Sequence, residues 1–582
     1  MSSSAALAAD ESLAARALGA RGSRTPLPDD DAGADLTSAA AAVLAGLPAW
    51  WHARAKEAGL TGQWLDVTRA VAATPPSELL LTAGSGKTTA ALSSYEVGAA
   101  YTAALTPGIR ARHGRHYTPE PLAEQLWSMS RAALGHLRPA RRLTGLVRDP
   151  ACGAGALLLP PLREHLAASA RTDPQVALTG LPNLIEGVDA DPAAVWTANV
   201  VLAAEALPLL AAVPAARRRP LPALAKLGDG LAARSEARVV LMNPPYGRVR
   251  LSPQEREHFA RVLYGHANLY GLFLAAGLDS LSSDGVLAAL VPTSFLSGRY
   301  FSGLRSELSR VAPLRSAAFV VERDGVFAGV LQETCLGVFT RRKAQRTSIT
   351  SVNGSVVDVA KVPSPRGAEP WLLPRRADDA HIAAAAAQMP LTLASAGWRV
   401  STGPLVWNRR RDDLHARPGR NRVPVLWAAD LDGGRLHRDP ARDTLRYLRL
   451  NSDADRKVML LDRPAVLVQR TTAPEQARRV VPIDLTDTLL GEWGGQVVVE
   501  NHVNVLHPQV PDPALSRAAL ARVLATRTID QLTRCLSGSV ALSAYELESL
   551  PLPAAEVLQS WEPLTGADLE RAVAAAYQPA GS

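Results

Sequence analysis

The apolar run Val239-Val240-Leu241-Met242 stops at Asn243-Pro244-Pro245-Tyr246-Gly247. Two consecutive prolines lack the N–H groups that a β-ladder needs, so a buried strand must end here and a rigid loop begin. Similar short apolar runs at 144–149, 184–190, 237–243, 285–292, 315–322 and 334–340 alternate with Ala-rich helical stretches. That alternation predicts an α/β fold, a doubly wound and mostly parallel sheet built from βαβ units. In open sheets of this kind ligands bind outside the carboxyl ends of the strands, where the Asn-Pro-Pro-Tyr loop falls.

Three further motifs precede that loop. Asp149-Pro150-Ala151-Cys152-Gly153-Ala154-Gly155 follows a strand and opens a helix. Its small residues, Ala151, Gly153 and Gly155, let the backbone approach a ligand, while Asp149 can accept hydrogen bonds from an ammonium or hydroxyl group. Cys152 reads as a small buried residue. In Ile185-Glu186-Gly187-Val188-Asp189-Ala190-Asp191-Pro192, Asp189 stands at a strand end where such folds hold a ribose diol. Asp191 suits a helix N-cap before Pro192. Gly228-Asp229-Gly230 offers a carboxylate to an adenine amino group, or is simply a polar turn.

In this order the motifs resemble those of S-adenosylmethionine-dependent DNA adenine-N6 methyltransferases of the γ arrangement, the TaqI-like and PstI/BsuBI/SalI-type modification methylases. Gly114-Arg115-His116-Tyr117-Thr118-Pro119 is similar to their Tyr-Thr-Pro opening, and Asp284–Pro292 followed by Leu304-Arg305 also fits. The specific likeness runs from about Arg112 to Phe339; beyond Trp398 only looser phrases, at 500–508 and 535–553, carry it. Where many relatives have Ser, this chain has Ala154. The resemblance implies a Rossmann-like class I methyltransferase domain followed by an α+β target recognition domain. It also implies S-adenosylmethionine as methyl donor, with Thr118 and Asp149 at its methionine end, Asp189 on the ribose and Asp229 on the adenine. No metal is implied.

The chemistry accounts for the loop. An exocyclic adenine amine is a poor nucleophile because its lone pair is delocalised into the ring. The Asn243 side-chain oxygen and the Pro244 carbonyl can accept both amino hydrogens, driving the nitrogen towards a tetrahedral state aimed at a methylsulfonium. The target base must leave the duplex to reach them. Pro245 stiffens the loop and Tyr246 supplies one aromatic face. By resemblance Phe327 supplies the second, although it reads equally as a core phenylalanine.

Residues 1–35 read as a disordered lead, 36–108 as a helical region with Leu44, Leu47, Trp50 and Trp51 on its buried face, and 109–345 as the catalytic domain. A junction at 346–397 and a recognition domain at 398–582 complete the expected organisation. Of the chain's net charge of +8, the stretch 398–480 supplies as much by itself, with 18 basic against 10 acidic residues. Clusters such as Arg409-Arg410-Arg411, Arg417, Arg420, Arg422 and Arg478-Arg479 suit phosphate contacts and base reading, or a solvated surface in an Arg-rich protein. Arg248 and Arg250 could grip the flipped strand.

Other readings fit less well. Gly84-Ser85-Gly86-Lys87-Thr88-Thr89 lacks the first glycine of a phosphate-binding loop, Leu81 standing in its place. Three cysteines exclude a disulfide framework or a four-cysteine zinc site. Asp455-Arg456-Lys457 is the chain's single acidic-x-Lys match to a metal nuclease, so cleavage is assigned to a separate restriction endonuclease. The same loop serves protein-glutamine methylases, which need no long basic region, and cytosine-N4 methylases, which usually begin the motif with Ser. A non-catalytic DNA-binding module is disfavoured because Asp149, Asp189, Asn243 and Tyr246 are all in place. The expectation is a cytoplasmic monomer without a membrane segment, acting on double-stranded DNA and protecting a six-base palindrome.

Overall fold

The computed structural model describes residues 37–76, 91–106, 117–136, 142–169, 171–321, 333–472, 476–536 and 541–578. The expected disordered lead, the Gly84–Thr89 turn, Gly114–His116 and Phe327 lie outside them. Among the described residues no helix is long and apolar enough to cross a membrane.

Two N-terminal helices come first, α1 (Ser38–Glu57) and α2 (Ser94–Ala104). Thr37 caps α1 by accepting the Ala40 N–H at 3.0 Å, and Leu44, Leu47, Trp50 and Trp51 are all buried as expected. Helix α3 (Glu120–Ala133) leads into a nine-stranded sheet. Its strands are β1 (Val147–Asp149), β2 (Ile185–Asp189), β3 (Ala225–Leu227), β4 (Ala237–Met242), β5 (Leu281–Pro292), β6 (Leu314–Val320), β7 (Thr334–Thr340), β8 (Arg346–Asn353) and β9 (Ser355–Pro363). They lie in the order β3-β2-β1-β4-β5-β7-β6-β8-β9. Strands β3 to β5 pair in parallel, and β7 runs antiparallel between β5 and β6. The expected α/β, doubly wound, Rossmann-like sheet is present.

The strand order reverses between β1 and β4, where Val147 lies opposite Val239. Such a switch point opens a crevice at the carboxyl ends of its two strands. Asp149 ends one strand and Asn243 follows the other, so two motifs almost a hundred residues apart meet at one edge.

The strands at the sheet's centre are mostly apolar and buried, as strands covered on both sides are, with Arg148 and Asp149 of β1 the buried charged exceptions. On one face the helix Pro192–Glu205 covers the sheet, and the N-terminal helices pack on that helix, with Trp50, Trp51 and Tyr95 in one core with Val200 and Leu202. The other face packs Tyr270, Phe273 and Phe295 beneath Met242 and Val291.

Two features differ from the sequence reading. Strand β3 lies in a segment assigned no strand, because Lys226 interrupts it and only Ala225 of its three residues is buried. The stretch read as a junction opens with β8 and β9, which extend the sheet edge. Strand β8 is Ser/Thr-rich and β9 is mostly exposed despite its valines, so neither shows the apolar density of the inner strands, since an edge hairpin buries less of its surface.

The C-terminal part is α+β. A four-stranded antiparallel sheet joins 398–402, 503–508, 465–469 and 482–485, and a smaller five-stranded sheet includes 422–426 and 497–499. Helices Arg517–Leu524, Arg527–Leu536 and Gly566–Ala576 pack beside them. This part is tied to the nine-stranded sheet's side of the molecule through buried polar contacts. Ser297 Oγ donates to Glu546 Oε1 at 2.6 Å. The fully buried Arg305 guanidinium, held by the carbonyls of Phe295, Gly298, Ala368 and Glu369 at 2.7–3.0 Å, also donates to the Tyr545 hydroxyl at 3.4 Å.

Candidate active site

The turn after β1 is held open by glycine conformations that side chains rarely adopt, with φ of +49° at Gly153 and +87° at Gly155. Nothing among the described residues lies within 4 Å of where a Gly153 Cβ would point, which leaves room above this backbone for a ligand. Below it the turn is anchored: Cys152 N donates to Val188 O at 2.9 Å and Gly153 N to Asp189 Oδ2 at 2.8 Å. The Asp189 carboxylate also accepts the Asp191 N–H through Oδ1 at 2.9 Å. Both oxygens are therefore oriented by backbone donors, with the group half-buried rather than sealed.

Asp149 is almost fully buried and accepts the Ala151 N–H at 3.0 Å. Burial, reinforced by the nearby Asp189 charge against the single Ala151 hydrogen bond, pushes its carboxyl up to about 8. A carboxyl so placed favours a cationic ligand, which would restore its ionised form. Cys152 beside it is buried, and burial drives its thiol far above the usual range. That matches its reading as an inert packing residue.

Asp229 is exposed, its Oδ1 accepting the Leu231 N–H at 2.9 Å. Its turn approaches the β1 loop closely: a Cβ on Gly230 would lie 1.9 Å from the Pro150 carbonyl oxygen. Only glycine permits this approach, which brings the third motif against the first. Asp191 caps the helix Pro192–Glu205 through the Ala193 N–H, as expected, and also accepts the Tyr101 hydroxyl at 2.6 Å.

The fourth motif completes the edge. Asn243 donates from Nδ2 to Thr118 Oγ1 at 3.0 Å and accepts the Tyr246 hydroxyl on Oδ1 at 3.1 Å. Tyr246 also lies 3.3 Å from the Leu290 carbonyl at the end of β5. Its ring meets Tyr270 edge-on, centroids 6.0 Å apart, and Tyr270 stacks on Phe301 at 4.9 Å. Pro244 is buried, Pro245 half-buried, and Gly247 has φ of +125°. The loop is thus fixed at both ends, with an amide whose oxygen and nitrogen are assigned by their neighbours.

Thr118, Asn243 and Tyr246 are brought together directly; Asp149, Ala151, Gly153, Gly155 and Asp189 form the adjoining cradle; Asp229 borders it. Sequence reasoning missed Tyr101, Tyr270 and Phe301. None sits in a motif, and each looks like an ordinary core aromatic until the tertiary contacts are known. Among the described residues no cluster of His, Cys, Asp and Glu could hold a metal ion.

Residues 231–327 match the Eco57I restriction-modification methylase family. The chain is similar to type II modification methylases. It is 26% identical over 334 residues to type II methyltransferase M.PstI of Providencia stuartii, covering 55% of this chain and 65% of that protein. To M.BsuBI of Bacillus subtilis it is 23% identical over 337 residues, covering 55% and 66%. The alignments therefore span just under two thirds of either relative. Among solved structures, the type IIL restriction-modification enzyme MmeI in complex with DNA superposes with a TM-score of 0.51 at 12% identity. That match covers 85% of this chain and 80% of that one, a likeness of fold.

The basic C-terminal surface is smaller than its composition suggests. Arg446 is buried in an ion pair with Asp430 at 3.0 Å, and Arg479 is buried against Thr472. Arg410 is held between Asp413 and Asp455. Arg409, Arg411, Arg417, Arg420 and Arg478 are exposed, as are Arg248 and Arg250 just past the Asn-Pro-Pro-Tyr loop.

Proposed function

We propose that this protein is a site-specific DNA adenine-N6 methyltransferase that uses S-adenosylmethionine. The observation that carries the reading is Asn243, whose amide is oriented by Thr118 and Tyr246 beside the Asp149–Gly155 and Asp189 cradle. The residues fit the cofactor. The space over Gly153 admits a backbone-hugging ligand, Asp149 suits its cationic methionine end, Asp189 its ribose hydroxyls, and exposed Asp229 its adenine amino group. When bound, it supplies a methyl group on a positively charged sulfur.

The remaining work belongs to the chain. Asn243 Oδ1 turns from the Tyr246 hydroxyl to accept one amino hydrogen of the target adenine, and the Pro244 carbonyl accepts the other. Drawing both hydrogens out of the ring plane localises the lone pair on nitrogen. No strong base is required, because the proton becomes acidic only as the methyl group arrives. The raised Tyr246 pKa, caused by burial, keeps its hydroxyl a donor throughout. Its ring holds one face of the flipped base, with Phe327 proposed for the other, each stack contributing about 1–3 kcal/mol.

Double-stranded DNA is the proposed substrate, gripped by the exposed arginines of the C-terminal part and by Arg248 and Arg250. The protein would act in the cytoplasm as a monomer, protecting DNA from a separate restriction endonuclease. Transfer from labelled S-adenosylmethionine to unmethylated DNA, followed by nucleoside analysis, tests this. Label in N6-methyladenine that disappears with Asn243→Ala is expected. Label in N4-methylcytosine, or cofactor binding with no label in DNA, would overturn the adenine assignment.

A further inference from the structure

Helix α2 lies outside every recognisable motif, yet it reaches the ribose-binding strand end. It approaches the β1 turn closely, since a Cβ on Gly98 would fall 2.8 Å from the Tyr117 ring and 3.1 Å from Ala154 Cβ. One helical turn later Tyr101, 2% exposed, donates its hydroxyl to Asp191 Oδ2 at 2.6 Å. From there the contacts run without a gap. Asp191 N donates to Asp189 Oδ1 at 2.9 Å, and Asp189 Oδ2 accepts the Gly153 N–H at 2.8 Å. Ser94, at the start of the same helix, donates to Glu205 at 2.5 Å, at the far end of the helix that Asp191 caps. The helix thus grips both ends of its neighbour.

We infer that Tyr101 is a positioning residue for cofactor binding, holding the Asp191 loop so that Asp189 presents its carboxylate to the ribose. The inference rests on the reading of Asp189 as the ribose ligand. Both Asp189 oxygens are already bonded to backbone donors, so its orientation depends on where those donors sit. Asp191 N is one of them. A hydrogen bond to a buried carboxylate is among the stronger constraints a hydroxyl can impose. The N-terminal helices are accordingly a working part of the cofactor site, supporting it as outer partners support the ligands of a metal.

The test compares S-adenosylhomocysteine with its ribose-deoxygenated analogue by calorimetry on the full chain. Tyr101→Phe should weaken S-adenosylhomocysteine roughly tenfold while leaving the deoxygenated analogue almost unchanged and kcat at saturating cofactor intact. The ratio between two ligands on one preparation is independent of the folded fraction, so partial unfolding cannot imitate the result. Tyr95→Phe is the control. Its buried hydroxyl, on the same helix, has no hydrogen-bond partner among the described residues, and both affinities should hold. An unchanged affinity in Tyr101→Phe, or an equal loss for both ligands, would overturn the inference alone. No binding by the unsubstituted protein would remove the cofactor reading and this inference with it.

Discussion

Asn243 and Thr118, 125 residues apart in sequence, are joined by a 3.0 Å hydrogen bond from the asparagine amide to the threonine hydroxyl. This bond determines which way the amide faces. With Nδ2 committed to Thr118, Oδ1 is left to point at Tyr246 and at any amine that takes the tyrosine's place. Thr118 therefore joins the proposed methionine site to the methyl-accepting site.

Replacing Thr118 with Val removes that acceptor at nearly constant shape. The amide loses its preferred orientation, at about 1–2 kcal/mol for a hydrogen bond made in a buried site. Single-turnover methylation should slow by about tenfold, with Thr118→Ser restoring most of the rate. An unchanged single-turnover rate in the valine variant would show that Tyr246 alone orients Asn243.

On the proposed cofactor reading, Asp149 should make S-adenosylmethionine binding depend on pH. Its carboxyl titrates at about 8 in the free protein, above its ordinary value, so it is protonated at neutral pH. Pairing with a cationic ligand lowers that pKa, so binding at pH 7 must release a proton. Affinity should rise with pH up to about 8 and then level off. Calorimetry in buffers of different ionisation enthalpy would measure the released proton directly. For folding the sign runs the other way. The unfolded chain ionises this group first, so the stability contributed by neutral Asp149 is present at acid pH and declines as pH rises towards 8.

Gly230→Ala should be damaging out of proportion to its size. The added methyl would meet the Pro150 carbonyl at 1.9 Å, and backbone cannot swing aside as a flexible side chain would. A loss of roughly 1–3 kcal/mol in stability is expected, together with weakened S-adenosylmethionine binding. A variant with wild-type melting and affinity would show that the two turns are not held together.

Two classes of arginine in the C-terminal part should separate cleanly. Arg417→Ala with Arg420→Ala, both exposed, should leave melting unchanged while lowering DNA affinity. The pair should also reduce the salt slope by about 2, at ~0.9 for each phosphate that is no longer neutralised. Arg446→Ala should instead destabilise the protein by about 3–5 kcal/mol, because it leaves Asp430 buried and unpaired. Fluorescence anisotropy across a salt series and thermal melting distinguish the two.

Much of the candidate site was legible because its residue types offer chemistry and backbone conformations that few others can. Asn-Pro-Pro-Tyr ends a strand and presents an amide, and Gly153 and Gly155 adopt backbone conformations closed to most side chains. Six strands of the sheet, β1, β2, β4, β5, β6 and β7, were equally visible, since each lies in a mostly apolar run inside the sheet. Shorter or edge strands such as β3, β8 and β9 carry a weaker signal, because burying less surface demands less of the sequence.

What the sequence determined by itself was local: where strands stop, where the chain must turn, and which side chains have chemistry to offer. Proximity was decided only by the tertiary structure. Thr118 meets Asn243, Gly230 meets Pro150 and Tyr101 meets Asp191 because the sheet order reverses between β1 and β4 and the N-terminal helices pack on one face. Packing within the C-terminal part turned Arg446 towards Asp430 and Arg479 towards Thr472 while leaving Arg417 and Arg420 exposed. A guanidinium reads the same in sequence whether it faces water or a buried carboxylate; burial and partner geometry assign its role.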